Sequence, residues 1–303
     1  MRKSTRIWLI TAAALIAAGT VILTGVMIFC NRDFKKLCTE KYETQICEIT
    51  ETFKDLSLKT NTADIFLVPA NGEKCTVEFY QSKNPQYTAV VENETLVIKE
   101  TADDAEKWYG YYINIDFDSP KITVYLPQTE YNSLFIKGST GNIDIPKNFK
   151  FENINISAST GNVACSASAA DTAKIELSTG NMNIENVTAK VFDLKTSTGN
   201  TDIYNVNCEN LILKGTTGDI TLRNVICTEK FSAERSTGDV TFNGCDCGEL
   251  FIKTTTGDVN GKLLTAKNFN VKTNTGAVSV PQNNSGGKAE ITTTTGDIII
   301  KTD

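Results

Sequence analysis

No histidine occurs among the 303 residues. That removes the imidazole from every mechanism at once: no Ser-His-Asp or Cys-His pair, no His-ligated zinc and no imidazole general base. Thiols, carboxylates and lysines remain. Three of the nine cysteines fall in one column of small residues recurring every nineteen or twenty positions: Ala170, Ala189, Cys208, Cys227, Cys247, Ala266 and Ser285. Neighbouring members would lie within reach of a disulfide, but a run of small side chains points to a tight corner in which each thiol is a small buried hydrophobe. Cys245-x-Cys247 is expected to direct its members to opposite faces, a weak metal or redox pair, and there is no CxxC. Asp219, Asp239, Asp258 and Asp297 recur at one position, where carboxylates could share a cation. Hard cations want several oxygens per ion, and the uncharged Asn142, Asn162, Asn181 and Asn200 fill the same position earlier in the chain. A turn role is therefore expected, and no catalytic residue, metal site or cofactor is assigned.

The most site-like string is Trp108-Tyr109-Gly110-Tyr111-Tyr112, beside Asp103, Asp104 and Glu106. Clustered aromatic rings stack on sugars or on a partner's aliphatic groups. Trp108, Tyr109, Tyr111 and Tyr112 are the ligand-binding candidates, against the alternative that these rings pack a cap onto its neighbours. A second feature is a column of lysines (Lys59, Lys137, Lys195, Lys214, Lys253, Lys272) interrupted by Ser157, Glu176, Glu234 and Thr292. Such a stripe could hold a polyanion. The two glutamates favour a solvated face whose charges deter sheet aggregation.

The elements that position these residues follow from a repeat. Ser/Thr-Thr-Gly-Asn/Asp-aliphatic recurs nine times with only slight variation, its glycines at 141, 161, 180, 199, 218, 238, 257, 276 and 296. A degenerate copy, NTADIFL (61–67), carries Ala63 in the glycine position. Pairs such as Leu134/Ile136 and Leu211/Leu213 precede the glycine, and pairs such as Ile143/Ile145 and Ile220/Leu222 follow it. Each alternates with polar residues, so each copy offers two short strands facing one interior. The expected fold is all-β: a β-solenoid, β-helix-like, of 19–20-residue coils. Gly supplies the bend between strands and Asn/Asp bonds the backbone there. The threonine before each glycine is expected to form a hydroxyl ladder.

The repeat lapses between Leu67 and Tyr131, in runs such as CTVEFY (75–80), YTAVV (87–91), TLVIK (95–99), YYINIDF (111–117) and KITVYL (121–126). These predict antiparallel hairpins forming an N-terminal cap over the solenoid's edge. Upstream, residues 7–30 carry no charge, which predicts one transmembrane helix of about 36 Å, long enough for the ~30 Å hydrocarbon core. The expected organisation is a short basic N-terminus (1–6), the transmembrane helix (7–30), a juxtamembrane linker (31–50), the β cap with the degenerate coil (51–132) and the solenoid (133–303). Residues 1–36 sum to +5 and the remainder to −11. So acidic a body would repel nucleic acid. Three cations stand on each side of the span, so the positive-inside count is tied. The short basic start, like that of an export signal, places the C-terminal domain outside the cell membrane.

The segment KITVYLPQTEYNSLFIKGSTGNIDI (121–145) and the Thr/Ser-Gly-Asn/Asp run to Asp303 resemble the β-strand-repeat "putative adhesin" family, bacterial domains of unknown function. The resemblance covers roughly residues 50–303. It implies a fold and, in many members, one N-terminal membrane helix; some members are encoded with cell-envelope stress systems. It supplies no catalytic or binding residues. The resulting expectation is a non-enzymatic, single-pass, extracytoplasmic adhesin or envelope scaffold. Its partners would be the bilayer, through the helix, and a cell-wall polymer or an envelope membrane protein. The alternative is a solenoid enzyme acting on envelope polysaccharide, lyase or hydrolase in type. It is disfavoured because repeats after Tyr131 differ in length by one residue and leave no long loop for a cleft. End-to-end self-assembly is disfavoured by the anchor and the cap.

Overall fold

A computed structural model describes residues 3–29, 31, 42–82, 86–101, 119–282 and 285–302. Helix α1 spans Lys3–Phe29. Its apolar side chains are exposed all round. The hydroxyls of Thr11, Thr20 and Thr24 donate to the carbonyls of Ile7, Ile16 and Thr20 at 3.0, 2.8 and 2.8 Å. These three hydroxyls are thus satisfied within the helix itself.

The rest of the described chain is a 21-stranded sheet wound into coils. Its first strands are β1 (Glu43–Ile49), β2 (Asp55–Thr62), β3 (Asp64–Pro69), β4 (Cys75–Gln81), β5 (Gln86–Glu92), β6 (Thr95–Thr101) and β7 (Lys121–Leu126). The regular coils follow as β8 (Glu130–Thr140), β9 (Ile143–Ile145), β10 (Lys150–Thr160), β11 (Val163–Cys165), β12 (Ser168–Thr179) and β13 (Met182–Thr198). They continue as β14 (Thr201–Thr217), β15 (Ile220–Thr237), β16 (Val240–Lys253), β17 (Val259–Leu263), β18 (Lys267–Thr275), β19 (Val278–Ser279), β20 (Gly287–Thr295) and β21 (Ile298–Thr302).

From β8 to β17 each coil pairs in parallel with the next, and equivalent repeat positions face one another: Leu134 with Ile154, Ile184 with Ile203, Leu222 with Phe242. The expected inward positions, among them Ile136, Ile156, Leu213, Ile220 and Ile252, are buried in one continuous core. At the bend, Gly199 holds φ at 137°, and a Cβ there would stand 1.9 Å from the Gly180 carbonyl oxygen. Only glycine fits such a contact in that backbone region. The Asn/Asp column ties coil to coil. Each side-chain Oδ1 accepts the backbone N–H of its counterpart in the next coil, from Asp64 to Asn142 (2.8 Å) through Asn181 to Asn200 (2.9 Å) and Asp239 to Asp258 (2.8 Å). The threonines contribute through the backbone instead of a hydroxyl ladder. Their side chains are exposed, and their carbonyls accept the glycine N–H of the adjacent coil, as from Gly180 to Thr198 at 2.9 Å. A second corner, missed in the sequence, is a left-handed column of Asn186, Asn205, Asn224 and Gly244 with φ of 56°, 53°, 53° and 63°. Asn is the non-glycine residue best suited to that conformation.

At both ends the stacking order departs from the sequence order. The degenerate coil β2/β3 lies between two others: β2 pairs in parallel with β6 and β8, and β3 with β7 and β9. The expected all-antiparallel cap is therefore corrected. The runs 95–99 and 121–126 belong to β6 and β7, which form a further parallel coil outside β2/β3. Antiparallel strands lie only beyond it, β5 on β6 and β4 on β7, with β1 on β4. The β5–β6 turn uses Asn93 and Glu94 at φ of 50° and 59°, the primed geometry that suits a tight hairpin. The segment 31–50, read as a linker, contains β1, whose weak pattern (Glu-Thr-Gln-Ile-Cys-Glu-Ile) hid it. The run 111–117 lies outside the described residues.

At the other end the last coil in sequence is second to last in space. β20 pairs with both β16 and β18, and β21 with both β17 and β19. The chain skips one level after Leu263, builds β18/β19, then returns to fill the gap with β20/β21. A buried ion pair marks the skip: Lys267 Nζ lies 2.8 Å from Asp246 Oδ1, which also accepts from the Thr265 hydroxyl at 2.7 Å. Burial works against ionisation of Asp246, yet the hydrogen bonds from Lys267, Thr265 and the Cys247 N–H hold its carboxyl below the usual range.

Candidate functional site

Trp108, Tyr109, Tyr111 and Tyr112 lie outside the described residues, but the strands that flank them do not. Between β8 and β9 the bend is Gly141-Asn142 alone, whereas 19 residues, 102–120, join β6 to β7. The aromatic string thus occupies the connection that replaces the Gly-Asn bend in the coil next to Ala63. This accounts for Ala63. A glycine is demanded by the bend carbonyl of the preceding coil, as Ala63 itself demands it of Gly141 at 2.0 Å, and the coil before Ala63 has no such bend.

At the start of the strands that lead into the glycine bends, an aromatic column runs along three successive coils. Phe53 stacks on Tyr131 with centroids 5.9 Å apart, and Tyr131 meets Phe151 at 5.7 Å. The Tyr131 hydroxyl donates to the Pro127 carbonyl at 2.9 Å, and burial raises its pKa. Tyr131 borders a cleft of about 300 Å³ shared with Thr50, Glu73 and Lys74, and another of about 570 Å³ shared with Glu130, Lys150 and Ala170. Ala170 is exposed there, so the small-residue column is buried only through its middle, at Ala189, Cys208, Cys227 and Cys247. The spacing of 78 and 20 residues between Phe53, Tyr131 and Phe151, the same as between Ala63, Gly141 and Gly161, was the available signal.

The lysine column is present and longer than the sequence order suggests. Because β6 stacks on β2, Lys99 joins Lys59 and Lys137 on consecutive coils. Lys99 approaches Glu92 at 3.8 Å, and Lys59 lies 5.9 Å from the Phe135 ring. Ser157 and Glu176 then interrupt the row.

Inside the coils the thiols and a buried arginine are among the groups that break the apolar lining. Cys208, Cys227 and Cys247 face one another in register, with 3.3 Å between the Cys208 and Cys227 sulfurs. Cys245 and Cys247 both point inward, correcting their expected opposition, since alternate strand residues share a face. Burial pushes the Cys247 thiol up to about 12, and the hydrogen bond to Cys208 followed by burial raises Cys227 further. Protonated thiols in that state are neither metal ligands nor nucleophiles. Two coils wide, the second feature is Arg235, 4% exposed. Its guanidinium crosses above Gly215 and donates to the Thr196 carbonyl at 2.9 Å and the Thr201 hydroxyl at 3.0 Å. Burial lowers its pKa. Thr201 stands where other coils place an aliphatic residue, so these departures from the repeat answer one another.

The coil geometry and its repeat agree with one known family. The chain matches the Toastrack family DUF4097 over residues 53–246 and again over 227–302. It belongs to that family. Among solved structures, this Toastrack chain is similar to a crystal structure described as a "putative adhesin" from Bacteroides fragilis NCTC 9343, at 16% identity and a TM-score of 0.46, covering 85% of this chain and 97% of that one. A second "putative adhesin", from Parabacteroides merdae ATCC 43184, matches at 13% identity and 0.44, covering 88% and 98%. A "putative lipid binding protein" from Parabacteroides distasonis ATCC 8503 matches at 15% and 0.32, covering 86% and 97%. No curated protein matches.

Proposed function

We propose that this Toastrack protein is a non-catalytic, single-pass membrane protein that displays its coils outside the cytoplasm. It would bind a cell-wall polymer or an envelope membrane protein through Trp108, Tyr109, Tyr111 and Tyr112. The observation that carries this reading is where the chain keeps its regularity and where it departs from it. Between β8 and β17 the glycine bends are alike, and buried polar groups such as Arg235 and the thiols are turned inward. The departure is the 19-residue connection 102–120, which holds the aromatic cluster. The apolar helix α1 supports the anchor, because a helix exposing Ile, Leu, Val and Phe on every side needs lipid around it.

The test uses the full chain in nanodiscs, offered in parallel to isolated cell walls, anionic liposomes and solubilised membrane proteins. A variant carrying Trp108→Ala, Tyr109→Ala, Tyr111→Ala and Tyr112→Ala, with an unchanged melting curve, runs beside it. Retention on walls or by one membrane protein, lost in the variant, is the expected result. Retention that the variant keeps would remove the aromatic site. Turnover of wall polysaccharide into soluble fragments would make the protein an enzyme.

A further inference from the structure

The two ends of the stack are finished differently. At one end β1, β4 and β5 lie antiparallel over the outer coil. At the other, β18/β19 is the outermost coil: β18 pairs with β20 and β19 with β21, and among the described residues neither has a strand on its far side. The core therefore ends in the open. Phe269, Val271 and Val280 pack against it but are only partly covered, and Val278 is 47% exposed. An unpaired strand edge over partly covered apolar side chains is a template for another strand.

We propose that a second copy of this chain covers that edge, β18 against β18 in antiparallel register about a two-fold axis through Val271. Two observations choose this occupant. The first is Ala277. Each Asn/Asp Oδ1 accepts the N–H of the next coil, and the ladder runs through Asp297 to the Ala277 N–H at 2.7 Å. Ala277 has no acceptor to pass on, so a further coil stacked in the parallel sense would miss the bond that every other coil makes. An antiparallel strand needs no such acceptor. The second is charge. Lys267 is buried against Asp246, which leaves Lys272 as the exposed charge on β18 (KNFNVKTNT). A two-fold axis at Val271 sets Lys272 opposite Asn270, Asn268 opposite Asn274 and Phe269 opposite Thr273, so no cation meets a cation. Because the opposite end is capped, association closes at two.

Sedimentation velocity of the full chain in density-matched detergent, with reductant present, tests the pairing. The expected result is a monomer–dimer equilibrium across the micromolar range. Asn270→Lys sets two lysines opposite each other at two symmetry-related places and should raise the dissociation constant about tenfold. Adding Lys272→Glu to it should restore the dimer. Both positions are exposed, so neither change burdens folding, and circular dichroism would check this. A wild-type monomer throughout that range overturns the proposal. So does a dimer indifferent to Asn270→Lys, which would place the contact elsewhere, for instance in the helix. Weakening by Asn270→Lys without rescue by Lys272→Glu overturns the register.

Discussion

At the residue scale the repeat leaves almost no latitude where coils touch. Gly199→Ala would drive a methyl group into the Gly180 carbonyl, 1.9 Å away, at a backbone conformation that L-residues avoid. Denaturant melts should show a loss of at least about 2 kcal/mol. Arg235, Thr201 and Gly215 make the opposite case, in which a departure is sound because its neighbours depart with it. Thr201→Ile deprives the buried guanidinium of a partner 3.0 Å away and should cost about 1–3 kcal/mol. Combining it with Arg235→Met should cost less than the two single changes added together, a coupling that a double-mutant cycle reads directly. The thiols set a pH dependence. Burial raises Cys75 to about 12, helped by Cys47, and raises Cys165 to about 11 and Cys247 to about 12, from an ordinary value of 9.0. The unfolded chain ionises first, so stability should be level below about pH 9 and fall as pH rises from there toward 12. Urea midpoints across that window measure it, and a flat profile would mean that these thiols are hydrated. Asp246 acts at the other extreme. Its carboxyl is held below 3.8, so the stability it lends is present above that value and is lost as pH falls below it.

At the element scale the test is the order of coils. Ending the chain at Gly286 deletes β20 and β21, the level through which β18 and β19 are joined to the stack. Hydrogen exchange should then show residues 267–279 unprotected while β14 and β15 stay protected. A stack built in sequence order would instead keep 267–279 protected on β16. Individual elements were legible in the sequence: the alternation, the glycine bends, the buried thiol column and the apolar helix all follow from residue type and period. The order of stacking was not, because the repeats present nearly identical edges and any coil fits beside any other. Two residues did carry that information. Ala63, which reads in sequence as mere degeneracy, marks a coil whose preceding neighbour lacks a glycine bend, and Ala277 marks a coil with no successor. The aromatic column was missed because its period crosses the interruption, and β1 because half its residues are polar. The aromatic string 108–112 is placed only by the strands on either side of it.

At the scale of the whole molecule the chain divides into an apolar, cation-flanked N-terminal segment and an acidic remainder, +5 against −11. Exposed apolar surface all along α1 has one stable environment, so alkaline carbonate should leave the protein in the membrane pellet, and deletion of residues 1–30 should release it to the supernatant. A chain that washes off shortened by the length of α1 would make the helix a processed leader. The intercalated last coil bears on synthesis. A ribosome or translocation channel delivers β18 and β19 before β20 and β21 exist, so the stack cannot be completed one level at a time. Until residues 287–302 arrive, the distal level has nothing beneath it, and a chain terminated before them stays frayed at that end. Closure of the fold thus reports that β20 and β21 have been made, which gives a protease a physical means of telling closed stacks from open ones.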